Sequence, residues 1–131
     1  MSRTAELLGD AKVFHIATID GDQARVRPFG FVMDFEGKVY FTTGNGKDFY
    51  RQAKKNPKVE MSAMLPDGRW IRVSGSAVFD GNMAAKKKAF ELYDGFKAIY
   101  RSPDGPTFEV FYLDNMSAVV YSFTDAPEKI I

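Results

Sequence analysis

At 131 residues, 45% apolar and 15% aromatic, the chain is long enough for one domain with a modest core and too apolar for disorder. A net charge of +1 gives no global field for nucleic acid or an anionic membrane. Having no cysteine, the chain can carry no disulfide, thiolate nucleophile, zinc finger or iron–sulfur cluster, and it fits a reducing compartment.

The opening Met1-Ser2-Arg3-Thr4 lacks the layout of a signal peptide, and no apolar run nears the roughly 18 residues of a membrane span. The expectation is a single cytoplasmic domain over residues 1–131, without nucleic-acid or membrane partners. Residues 4–8 suit a short helix stopped at Gly9. Residues 13–19 form a β-branched, aromatic strand, and Asp20-Gly21-Asp22 turns it into a long second strand over 23–34. Phe35-Glu36-Gly37 turns again into a third strand, 38–43, so the three should make an antiparallel meander. Gly44-Asn45-Gly46-Lys47 breaks the pattern before a helix over 48–55, which has an acid at its start, lysines in its last turn and Asn56-Pro57 behind it. Strands follow at 59–65 and 70–79, joined by Pro66-Asp67-Gly68. A helix over 83–93 then has a further turn to Tyr100. A closing hairpin is expected from 108–113 and 118–123, with a frayed tail after Asp125. This order predicts a mainly β protein, a barrel of six to seven antiparallel strands with flanking helices; a sandwich is the competing shape.

Three segments can carry chemistry. In Phe41-Thr42-Thr43-Gly44-Asn45-Gly46-Lys47 a strand runs through glycines into a helix N-terminus. Free backbone N–H groups, a lysine and two hydroxyls gathered there suit a phosphate; an ordinary loop with a solvated lysine has the same sequence. Strand alternation puts Arg25, Arg27, Phe29 and Phe31 on one face. A bound anion beside a planar ring explains both residue types, as does a strand with wet arginines at one end and buried rings at the other. Pro28 cannot donate to a ladder and marks an edge or bulge. Trp70, the single tryptophan, suits ring stacking, a dimer interface or the cap of a core. His15, the one histidine, has no partners for a metal site, and no carboxylate pair or nucleophile–base motif stands out, so no catalytic residue or metal ligand is assigned. A chain this poor in its own reactive groups leaves the chemistry to a cofactor.

These segments resemble the FMN-binding split barrels related to pyridoxamine 5′-phosphate oxidase, and within them the short general-stress and nitroimidazole-reductase-like members. The resemblance runs from residue 13 to 79, and more loosely to 123. It rests on Ala17-Thr18-Ile19-Asp20-Gly21, Arg27-Pro28-Phe29-Gly30-Phe31, Val39-Tyr40-Phe41-Thr42-Thr43, Lys47, Asn56-Pro57 and Trp70-Ile71-Arg72-Val73-Ser74-Gly75, in that order. It implies a split barrel that dimerises with FMN at the subunit interface. Arg27 to Phe29, with Arg25 as the alternative arginine, would contact the cofactor. Phe41, Thr42 and Thr43 would line it, Lys47 would hold its phosphate and Trp70 would shield its ring. Phe31 stands where the vitamin-forming oxidases carry a substrate-binding lysine. The resemblance therefore implies a flavin-dependent oxidoreductase acting on another small molecule. A flavin-binding stress protein without turnover, or a haem or deazaflavin binder on the same barrel, are the alternatives.

Overall fold

The computed structural model describes residues 2–131. Its helices are α1 (Arg3–Ala11), α2 (Asp48–Lys55), α3 (Met83–Leu92) and α4 (Gly95–Tyr100). Its strands are β1 (Phe14–Asp20), β2 (Gln23–Phe29), β3 (Met33–Phe35), β4 (Lys38–Gly44), β5 (Lys58–Met64), β6 (Trp70–Val78), β7 (Phe108–Tyr121) and β8 (Glu128–Lys129). All strand pairs are antiparallel, in the order β2-β1-β5-β6-β7-β4-β3, with β8 added on β7.

Alternation builds the interior. On β1, Phe14, Ile16 and Thr18 point inward; on β5, Val59, Met61 and Ala63 do; on β6, Ile71 and Val73. All of these but Thr18 join Val39, Phe41, Phe111 and Val120 from β4 and β7 in one cluster. The sheet therefore wraps around a single core, yet its end strands β2 and β3 do not pair: the architecture is an open, split barrel. α2 closes one mouth with Phe49 and Ala53, one helical turn apart on the inner face. A second cluster, with Phe90, Phe96, Tyr100, Phe108 and Tyr40, seats α3 and α4 against β4 and β7. Tyr40 is anchored there by a 2.5 Å hydrogen bond to Asp80, and burial together with that bond pushes its pKa up to about 12.

Several expectations are corrected. The second strand is not continuous over 23–34: it stops at Phe29, and β3 begins at Met33, so the meander breaks into two hairpins. Glu36 and Gly37, with φ of 50° and 78°, form the two-residue turn of the second hairpin. The closing hairpin is in fact one strand of 14 residues, which pairs with β4 through its first part and with β6 through the rest. The turn-like Asp114-Asn115 is a bulge instead, with Asn115 at φ 52° opposite Gly75, where a Cβ would lie 2.9 Å from the Asp114 carbonyl oxygen. Helix α1 continues through Gly9 to Ala11. The tail is tied down, β8 pairing with β7 and Glu128 meeting Arg3 at 3.0 Å. The strands number eight, because 33–35 and 128–129 each add a short strand while the two strands of the expected closing hairpin are one.

Candidate functional site

The end of β4 and the start of α2 form the cationic corner of a cleft. Lys47 donates its N–H to the Gly44 carbonyl, closing a tight turn, and Asn45 is pinned by bonds to Pro106 and Glu109. Lys47 is the N-cap of α2 in extended conformation, and no side chain caps the helix's first-turn N–H groups. Beside it the Thr43 hydroxyl is buried and has no partner among the described residues. An uncapped helix start, an unpartnered buried hydroxyl and a lysine together form a donor set for an anion.

Arg27, on β2, is held toward the same corner. Its guanidinium donates to Thr18 Oγ1 at 2.7 Å, to Gln52 Oε1 at 2.6 Å and to the Ile16 carbonyl at 3.3 Å, and lies 5.4 Å from the Phe49 ring centre. Thr18 and Gln52 are themselves buried and bonded to each other at 2.6 Å. Partial burial lowers the Arg27 pKa, an effect that nearby Asp48 opposes; the group remains a cation. Gln52 and Thr18 were missed by the sequence reading. Their signal was a polar residue in an inward register: Thr18 in line with Phe14 and Ile16, and Gln52 between Phe49 and Ala53.

The cleft has a volume of about 1200 Å³ and is lined by Arg25, Arg27, Pro28, Phe29, Thr42, Thr43 and Lys47, seven of the nine candidates. Arg25 is exposed and paired with Asp20 at 3.2 Å. The other two candidates lie elsewhere. Phe41 is fully buried, stacked on Phe111 within the barrel. Trp70 stacks on Tyr121 and touches Phe123, itself 90% exposed, in an aromatic patch outside the cleft of its own chain. The exposed His15 does not line the cleft. The described residues hold no group of acids and histidines that could bind a metal, and no helix is long and apolar enough to cross a membrane. The rest of the lining includes an aromatic and aliphatic side: Phe31, which the sequence placed on one face with Arg25 and Arg27, and Tyr93, Phe96, Ile99 and Tyr100, which it did not single out.

The open split barrel thus carries one cleft with a cationic corner and an aromatic side. A family model described as pyridoxamine 5′-phosphate oxidase matches residues 2–117, and the chain belongs to this family. A NimC/NimA family protein from Clostridium acetobutylicum shares 39% identity over 98% of this chain and 89% of that one, with a TM-score of 0.92. General Stress Protein 26 from Bacillus anthracis shares the fold at 14% identity, covering 95% and 93% of the two chains, with a TM-score of 0.76. A pyridoxamine 5′-phosphate oxidase-related, FMN-binding protein from Nostoc punctiforme shares it at 17% identity, covering 92% and 87%, with a TM-score of 0.70. No curated protein matches the chain.

Proposed function

We propose that the cleft binds FMN and that the protein is a cytoplasmic flavin-dependent oxidoreductase, a homodimer acting on a small-molecule acceptor. The observation that carries the reading is the charge at the corner. Arg25 and Arg51 are paired with Asp20 and Asp48, whereas Arg27 and Lys47 have no carboxylate partner among the described residues. Two unpaired cations match a phosphate monoester carrying about −1.5 to −2 charges. The unpartnered Thr43 hydroxyl and the uncapped α2 start supply neutral donors to the same group. The fit is therefore good in charge, donors and volume.

In this reading Lys47 and Arg27 hold the phosphate, with Thr18 and Gln52 fixing the arginine. Thr42 and Thr43 donate to the cofactor, and Pro28 and Phe29 run beside it along β2, whose outer edge is unpaired. Bound FMN supplies redox chemistry that no side chain here provides. The patch of Trp70, Tyr121 and Phe123 is the proposed contact with the second copy, through which Trp70 reaches the partner's flavin. An exposed cluster of that kind marks an association surface. The apolar Phe31 at the cleft favours an acceptor other than a phosphorylated vitamin.

The test is the visible spectrum of the purified protein, mass spectrometry of the released ligand, and light scattering. Flavin bands, FMN mass and a dimer are expected, with reduction by a nicotinamide cofactor followed by acceptor turnover. A haem band, or a protein that takes up no flavin when incubated with FMN, overturns the reading; flavin that no acceptor reoxidises makes it a binding protein.

A further inference from the structure

The aromatic side of the cleft has its own construction. Among the lining residues it contributes Phe31, Tyr93, Phe96, Ile99 and Tyr100, none of them charged. Tyr93 sits at the corner between α3 and α4. Its ring meets Phe96 edge to face at 4.9 Å, and Phe96 packs in turn on Phe31, Phe90, Tyr100 and Phe108. Tyr93 is thus the outermost ring of an aromatic series anchored in the core, yet it stays 50% exposed. Gly95 explains how the ring keeps its place: a Cβ on residue 95 would overlap the Tyr93 ring, so only glycine lets the ring lie across the start of α4.

The charges of the cleft limit what this wall can take. The lining holds four cations, Arg25, Arg27, Lys47 and Arg51, and two carboxylates, Asp20 and Asp48, a net of +2. One phosphate monoester of about −1.5 to −2 uses that excess. A second anionic ligand would find no unpaired cation and an uncharged wall.

We propose that, beside the phosphate-bearing cofactor, the cleft takes a second ligand that is an uncharged planar ring stacked on Tyr93, with Gly95 as the residue that positions the platform. This deepens the FMN reading and rests on it. Aromatic pairing supplies the attraction, and the cost of desolvating a charge against this wall supplies the selectivity.

The test is calorimetric titration of the FMN-loaded full chain with 1,4-naphthoquinone and with 1,4-naphthoquinone-2-sulfonate, the same ring with and without a negative charge. The neutral quinone should bind at least tenfold more tightly than the sulfonate. Tyr93→Ala and Gly95→Ala should each weaken the quinone about tenfold, Tyr93→Phe should keep it within threefold, and the FMN dissociation constant should stay within threefold in all variants. Gly95→Ala leaves the tyrosine in the chain and only displaces it, so loss there reports position. Circular dichroism confirms folding; if Tyr93→Ala does not fold, Gly95→Ala and Tyr93→Leu carry the decision. Equal or tighter binding of the sulfonate, or wild-type quinone binding in the folded variants, overturns the proposal. So does a parallel loss of FMN, which would make Tyr93 part of the cofactor seat. If the wild type binds no FMN, the earlier reading fails by itself, and the same titrations on the flavin-free chain still decide whether Tyr93 is a platform for neutral rings.

Discussion

Removing either cation at the α2 corner should weaken FMN, but the two removals should differ in what else they do. Among the described residues Lys47 has no carboxylate partner and its side chain makes no hydrogen bond, so Lys47→Ala should leave the thermal midpoint within about 2 °C, the scale of a neutral surface substitution. A charge-assisted hydrogen bond is worth about 1.5–3 kcal/mol, so FMN affinity should fall roughly ten- to a hundredfold. Arg27 makes three hydrogen bonds, to Thr18, Gln52 and the Ile16 carbonyl. Arg27→Ala should therefore cause a similar loss of FMN and also destabilise the fold by about 1–3 kcal/mol, because buried acceptors lose their donor. Riboflavin lacks the phosphate and should bind all three proteins alike. Isothermal titration with both flavins, paired with thermal melts, separates these effects. Wild-type FMN affinity in Lys47→Ala, or an equal loss of riboflavin, would refute the assignment of the phosphate to this corner.

Three further outcomes are expected. Tyr40, with its folded pKa raised from 10 to about 12, stabilises the fold fully below pH 10 and loses that contribution, about 3 kcal/mol at one unit per 1.4 kcal/mol, as pH rises through 12; denaturant melts of Tyr40→Phe should show a shallower fall across that window. Gly75→Ala forces a Cβ to 2.9 Å from the Asp114 carbonyl oxygen and should cost about 1–3 kcal/mol in urea unfolding; an unchanged midpoint would mean the bulge opposite Gly75 shifts freely. Phe41→Ala, opening the centre of the core, should cost about 3–5 kcal/mol, while a destabilisation under 1 kcal/mol would place that ring outside the packed interior.

The sequence was most legible where a local rule and the fold agree. Alternation identified β1, β5 and β6, and the glycine turn before an acid-started helix identified α2 and with it Lys47. Alternation along β2 likewise brought Arg25, Arg27 and Phe29 to one cleft. It failed where tertiary pairing overrides local pattern. The apolar run Phe29-Gly30-Phe31-Val32-Met33 reads as one strand, yet the chain leaves the β1 ladder there and crosses to β4. Asp114-Asn115 reads as a turn, yet β7 continues through it because Gly75 leaves room for the bulge. Thr18 and Gln52 sit 34 positions apart, and no local signal joins them. Residues 93–100 were hidden for the same reason: they look like an ordinary helix end until packing on β4 and β7 brings them into the cleft that holds Lys47.

The most direct test is a crystal structure grown with FMN. The phosphate should lie within about 3 Å of the Lys47 ammonium, at the start of α2, with the Arg27 guanidinium beside it and still bonded to Gln52. A flavin lying with its phosphate away from that corner, or density only at the Trp70 patch of a lone subunit, would contradict it.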